Sequence, residues 1–200
     1  MSKGKQLRAA HEAAAEQSAQ WWQYARHSAQ LARAGHLPPR IAVQGIVLGH
    51  NEHPLLEATA HYARLYGGDG TYYRTSTFAF GSPGFVVGAL AASAIGDNAR
   101  KRAAEQNSQV TWREHQQVPV LVTDQRVLCR TPTRGWLSFW FSGVSEFYPD
   151  LHNWAVTLVF TDGVPLQLTG PSTPALSLWF ARGILGPSWT EDPRLAALFS

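Results

Sequence analysis

The most regular pattern in this chain is the run Val118-Pro-Val-Leu-Val-Thr-Asp-Gln-Arg-Val-Leu-Cys129. Every second residue from 118 to 122 is valine, and apolar side chains at every second position indicate a strand with one buried face. Four polar residues at 123–126 interrupt the run before Val127-Leu-Cys129 resumes it. We therefore predict a β-hairpin whose turn lies at residues 123–126.

Further strands are predicted on the C-terminal side of this hairpin. A turn at Thr133-Arg-Gly135 leads into Trp136-Leu-Ser-Phe-Trp-Phe141, whose aromatic side chains suit a half-buried pleated surface. Two apolar segments, 156–160 and 164–168, flank Thr161-Asp-Gly163, and an Asp-Gly pair in this position predicts a hairpin. Pro165 has no amide hydrogen to donate, so we place it on a sheet edge or at the start of a strand.

The N-terminal side is less regular. Three segments lie between polar or glycine-rich gaps, at residues 41–48, 55–66 and 71–80. The gap Gly67-Gly-Asp-Gly70 predicts a turn between two strands, because glycine accepts positive φ. For residues 55–66 two interpretations stay open. The pairs Glu57-Ala58 and Ala63-Arg64 suit a helix, whereas the alternation from Ala58 to Tyr62 suits a strand.

A first helix is predicted at residues 6–34, which contain no proline or glycine and carry a weak apolar stripe at helical spacing. It is expected to end at Gly35, and Pro38-Pro39 mark a linker because proline cannot continue a helix. We place a domain boundary there, so that residues 1–38 are a helical arm with its linker. The tandem pair Trp21-Trp22 on this arm must dock on another surface or sit at a bilayer interface, and docking on its own domain is favoured.

A second helix is predicted near the C-terminus. Ser172 or Thr173 can cap it, Pro174 fits its first turn, and it runs to about Gly186. Its apolar face should lie on a sheet. Residues 187–200 are expected to form a tail with one more helical turn at 195–199.

Composition excludes several classes of protein. With 44% hydrophobic and 16% charged residues the chain is not disordered, and a single cysteine excludes a disulfide scaffold or a cysteine-rich zinc site. We therefore expect a cytoplasmic protein without a cofactor. The net charge of +3 comes mainly from residues 1–40, and no zinc-finger, RRM or P-loop pattern occurs. We expect no nucleic-acid partner.

The hairpin at 118–129, the aromatic strand after it, the run Leu158-Val-Phe-Thr-Asp-Gly163 and the closing helix together resemble a bacterial pleckstrin-homology-like domain of the GRAM type. The resemblance covers residues 118–186. It implies an α+β fold, in which a C-terminal helix caps a bent seven-stranded antiparallel β-barrel over residues 39–186. It also implies a helical insertion at about 81–117. Such domains bind lipid head groups, peptides or partner domains, so the resemblance implies a binding module without catalytic residues.

A segment rich in small residues is the most unusual feature, and it reads Gly84-Phe-Val-Val-Gly88-Ala-Leu-Ala-Ala92-Ser-Ala-Ile-Gly96. Small residues at every fourth position let two helices approach closely, as they do in lipid. The basic cluster Arg100-Lys101-Arg102 follows, as at a cytoplasmic membrane face. One interpretation is peripheral association with the inner membrane, in which Phe85 and Leu90 enter the bilayer. The other is a soluble helix that packs on the barrel or pairs two copies of the chain. The partner is thus an anionic membrane surface or another protein.

Three arginines, Arg126, Arg130 and Arg134, surround the predicted central hairpin and form the candidate ligand site, since guanidinium groups bind phosphorylated head groups well. The alternative is that they are scattered surface residues. Metal ligands are not expected, because His50-Asn-Glu-His53 precedes a proline and matches no zinc motif. Cys129 is expected to be a buried structural residue, because it lies in a predicted strand without a local base.

Overall fold

The structure is a computed structural model that describes residues 3–39, 41–67 and 109–200. Its elements in chain order are α1 (Lys3–Arg33), β1 (Pro54–Tyr66), β2 (Thr111–Thr123), β3 (Arg126–Thr131), β4 (Gly135–Trp140), β5 (Val144–Asp150), β6 (Ala155–Phe160), β7 (Leu166–Thr169) and α2 (Thr173–Leu185). Short 3-10 turns occupy Phe141–Gly143, Gly186–Glu191 and Pro193–Leu198. The predicted strand at 71–80 and the small-residue segment with its basic cluster lie outside the described residues.

All seven strands belong to one antiparallel sheet with the order β4-β3-β2-β1-β7-β6-β5. The predicted central hairpin is confirmed as β2 and β3, in which Val120 pairs with Cys129 and Val122 with Val127. Its turn is held by the Thr123 hydroxyl, which accepts hydrogen bonds from the amides of Gln125 and Arg126. The predicted hairpins β3–β4 and β6–β7 are also confirmed. Pro165 lies just before β7, at the start of a strand.

Residues 55–66 are a strand, which resolves the ambiguity left by their sequence. Along β1 the buried side chains of Leu56, Ala60 and Tyr62 alternate with exposed residues such as Glu57 and His61. That period of two matches a strand with one face on the core and not a helix. β1 pairs with β2 along most of its length and with β7 through residues 61–64, so it joins the two halves of the sheet.

The sheet is not closed, because its order ends at β4 on one side and β5 on the other. The resemblance had implied a barrel, and the described strands form an open sheet instead. The 3-10 turn Phe141–Gly143 connects the two edges, with the Phe141 amide bonded to the Gln125 carbonyl and the Gly143 carbonyl bonded to the Thr161 amide. These bonds direct the chain away from β4, so β5 pairs with β6.

α2 fills the centre of the molecule, and every residue from Thr173 to Ala181 is buried. The predicted helix is confirmed, with Pro174 in its first turn and Gly186 at its end in a positive-φ conformation (φ 58°). Ser172 precedes the helix, but its hydroxyl makes no cap hydrogen bond. Gly183 lies directly against the Phe141 ring, where a Cβ atom would collide with ring carbons. A side chain at Gly183 would therefore displace Phe141 from the core.

α1 is exposed through its first half and docks by its second half. Ala25, Ala29 and Ala32 are buried in the core cluster, and their small side chains allow close approach to α2. The ring of Trp22 lies 5.7 Å from that of Trp154. The expected docking of the tryptophan pair on its own domain is therefore seen.

The C-terminal segment adds to the core as well. Trp189, Leu195 and Leu198 are buried, and the helical turn expected at 195–199 is a 3-10 turn at Pro193–Leu198. β2 differs more from expectation, since it begins at Thr111 and not at Val118. Its first seven residues are polar apart from Trp112 and none of them is buried, so no apolar alternation marks them.

Candidate functional site

Arg126, the first residue of β3, is tied into a buried ion pair. Its Nε lies 2.7 Å from Oε1 of Glu52 and its Nη2 lies 2.9 Å from Oε2, a bidentate arrangement. The side chain of Arg126 is 10% exposed and that of Glu52 is 0% exposed. Charge-assisted pairs of this geometry are strong and directional. Because Glu52 precedes β1, the pair joins the entrance of that strand to the β2–β3 turn.

The remaining groups around Arg126 complete its environment. Its guanidinium donates to Ser138 Oγ at 2.8 Å and to the carbonyl of Val47 at 2.9 Å. The Trp140 ring lies 4.4 Å from its central carbon, which is a cation–π contact. The guanidinium is thus bound by groups of the protein itself.

The charge state of Glu52 follows from its surroundings. Burial by itself raises the pKa of this carboxyl, but hydrogen bonds from Arg126 and from the Gly49 amide outweigh burial and hold the pKa below its usual value. Glu52 is therefore a carboxylate at neutral pH. A second contact also joins the chain before β1 to the β2–β3 turn, since the amide of His53 donates to Asp124 Oδ1 at 2.9 Å.

The other two arginines of the predicted ligand site lie elsewhere. Arg130 is exposed and lies four residues beyond Arg126 on β3, which is about 13 Å along a strand. Arg134 lies in the β3–β4 turn, where its 60% exposed side chain pairs with Glu114 at 3.1 Å. The structure therefore does not bring Arg126 together with Arg134, and one phosphorylated head group could not contact all three.

A cleft lies between α1 and the sheet and has a volume of about 470 Å³. Ligand sites commonly measure 300–1,000 Å³. α1 contributes Gln17 and Trp21, β1 contributes Glu57 and Thr59, and β2 contributes Gln117. The wall is completed by further residues of β1 and β2, by Trp136 of β4 and by the loop before α2.

Pro119 of β2 is one of the residues that line the cleft. This proline pairs with Thr59 across β1 and β2, and it has no amide hydrogen. The Thr59 carbonyl accepts a hydrogen bond from Ser172 Oγ at 2.8 Å. Pro119 is tolerated because β3 pairs with β2 only from Val120 onward, so the proline side of β2 is a local edge. Among the described strands, β2 therefore has a neighbour beside the cleft only on its β1 side.

Other candidate chemistry lies apart from the cleft. Burial raises the pKa of the Cys129 thiol to about 12, so the group is a neutral thiol inside the core. Within residues 3–39, 41–67 and 109–200, no three His, Cys, Asp or Glu side chains are grouped to hold a metal ion. No helix in these ranges is both long and apolar enough to cross a membrane.

Most cleft residues carried no signal in the sequence. Glu57, Thr59 and Gln117 are ordinary polar residues of strands, and only the placement of α1 over the sheet makes them neighbours. The sequence indicates a docking role only for Trp21, by its position in a tandem pair on an alanine-rich helix, whereas Trp136, Pro119 and Ser172 enter only as parts of predicted strands and a helix cap. Glu52 enters only as part of the segment His50–His53, where no metal site is expected, and its partner Arg126 is far away in the sequence.

The sequence was compared with protein-family models and with curated proteins, and neither comparison gives a match.

Proposed function

We propose that the protein is a non-enzymatic binding module of pleckstrin-homology-like fold that binds a partner protein in the α1 cleft. The strand order supports the fold, because each strand neighbours the next in sequence except β4 and β5, and β1 neighbours β7. That is the connectivity of a seven-stranded barrel opened between β4 and β5, with α2 packed at its centre. The sequence resemblance over residues 118–186 points to the same family.

The cleft is the observation that carries the proposed function. Its lining combines two indole rings, other apolar residues and a few polar side chains, which is the usual composition of binding sites. Among the described residues, the groups with shifted pKa values all lie outside it, namely Glu52, Tyr62, Tyr66, Cys129, Asp192 and Arg194. This distribution supports binding and not acid–base chemistry as the work of the cleft.

Site-specific photo-crosslinking in cells tests the proposal. A benzophenone amino acid at exposed Gln117 is expected to form adducts with a partner protein, whereas the same group at exposed Thr161 in the β6–β7 turn should form few. Both positions are solvent-accessible, so incorporation alone does not distinguish them. Equal adduct yields from the two positions, or none from Gln117, would reject binding through the cleft.

Membrane contact is the second candidate function, and the sequence of residues 84–102 favours it. If Arg100, Lys101 and Arg102 meet anionic lipid, each contributes about 1 kcal/mol of attraction. Replacing all three by glutamine should release the protein from anionic vesicles and leave any binding to neutral vesicles unchanged. The control is the same charge change at Lys3, Lys5 and Arg8 of α1. Wild-type protein that stays in the supernatant with both vesicle types at low salt would reject membrane contact.

A further inference from the structure

We infer that the α1 cleft selects a cationic side chain, an arginine or lysine presented by an extended segment of the partner protein. The inference rests on the proposed function and specifies the chemistry of its ligand. It follows from the one charge in the cleft, from its two indole rings and from the way the protein holds its own buried guanidinium.

Glu57 supplies the charge. Among the residues that the structure describes, it is the only ionisable one that lines the cleft, and its side chain is exposed. Within the part of the chain that the structure describes, it makes no ion pair and no side-chain hydrogen bond, although the whole chain carries a formal charge of +3. Glu57 therefore gives the cleft one negative charge with which a cation from a partner can pair.

Trp21 and Trp136 supply the aromatic surface. Both are only half-buried, so part of each indole remains accessible from the cleft. The face of an indole ring carries negative electrostatic potential, and tryptophan is the strongest cation–π acceptor among the side chains. The rings also offer apolar area for the methylene groups of an arginine or lysine stem.

The protein already uses this combination for an internal cation. The guanidinium of Arg126 is held by the carboxylate of Glu52 and by the Trp140 ring at 4.4 Å. The cleft is lined by the same two kinds of chemical group, and the described residues that line it include no lysine or arginine. A cation from a partner would complete the arrangement.

The polar residues of the cleft suit an extended peptide. Gln17 and Gln117 are exposed and carry amides that both donate and accept hydrogen bonds, as peptide groups require. Among the described strands, none pairs with β2 on its β3 side at Pro119, so a segment can approach the backbone on that side.

The test is an NMR titration of the full-length protein with three peptides that differ at one position. Ser-Gly-Arg-Gly-Ser is compared with its citrulline counterpart, which keeps the shape without the charge, and with its glutamate counterpart. We expect the arginine peptide to bind about fivefold more tightly than the citrulline peptide, and to shift the indole signals of Trp21 and Trp136. The glutamate peptide should bind most weakly.

Two variants sharpen the result. Glu57→Gln should weaken the preference for arginine over citrulline to the part that the two indole rings supply, whereas Glu191→Gln, which removes an exposed carboxylate outside the cleft, should keep it in full. Equal affinities for arginine and citrulline in the wild-type protein would overturn the cation preference while leaving binding in the cleft intact. If no peptide shifts the cleft signals, the inference is overturned, and crosslinking from Gln117 decides separately whether the cleft binds a partner.

Discussion

Replacement of Glu52 by glutamine is expected to lower the free energy of unfolding by about 3 kcal/mol, because it leaves the buried Arg126 guanidinium without its counter-charge. Chemical denaturation followed by tryptophan fluorescence measures this change. Arg134→Gln is the matched control, since it breaks an exposed ion pair and should cost less than about 1 kcal/mol.

A double variant separates the ion pair from the other contacts of Arg126. Replacing Glu52 by leucine and Arg126 by methionine removes both buried charges, so the double variant should recover most of the stability that Glu52→Leu loses alone. A double variant as unstable as the single one would show that the bonds of Arg126 to Ser138 and Val47 dominate instead.

The same ion pair makes stability depend on acid. The folded-state pKa of Glu52 lies below its usual value of 4.5, so the carboxylate stabilises the fold fully above about pH 4.5. That contribution is lost as the pH falls through the folded-state pKa, because protonation of Glu52 removes its charge and with it the ion pair to Arg126. As the pH is lowered from 5, the free energy of unfolding should therefore fall more for the wild-type protein than for Glu52→Gln. Denaturation at each pH measures this difference.

Removal of residues 1–38 is expected to abolish cooperative unfolding. The deleted segment includes Ala25, Ala29 and Ala32, which pack on α2 and the rest of the core. Their removal exposes the side chains that they cover, and each large apolar side chain that returns to water costs about 1.5–3 kcal/mol. A domain has only about 5–15 kcal/mol of stability in total. Thermal melting monitored by circular dichroism, together with the dispersion of amide NMR signals, measures the loss.

Removal of residues 1–15 is the control for that truncation. Residues 4–15 are exposed, so this shorter deletion should change the free energy of unfolding by less than about 0.5 kcal/mol. A cooperative transition in the longer truncation would show that residues 1–38 are an independent arm, as Pro38 and Pro39 suggest in the sequence.

Local patterns predicted the hairpins well because each is closed by a short turn. The alternation at 118–122 and the Asp162-Gly163 pair report on neighbours only a few residues away, and the structure has both hairpins. β1 was ambiguous because its helix-compatible residues compete with its alternation. Pairing with both β2 and β7 settles the matter, and such long-range pairing overrides local propensity.

The functional residues were harder to predict because their neighbours are distant in sequence. Arg126 looked like a surface ligand residue, since nothing near it in the chain shows that Glu52 neutralises it. The cleft depends in the same way on where α1 lies over the sheet, which a helical stripe of alanines does not specify. In both cases the decisive contact is tertiary.

The position of β1 between β2 and β7 also has a kinetic consequence. The series β2–β3–β4 and β5–β6–β7 are each joined by short connections, so each can form quickly from local contacts. The pairing of Tyr66 with Thr111 must instead close a long stretch of chain, and loop closure costs entropy before contacts repay it. We therefore expect β1 to dock more slowly than the two groups of three strands form from their local contacts.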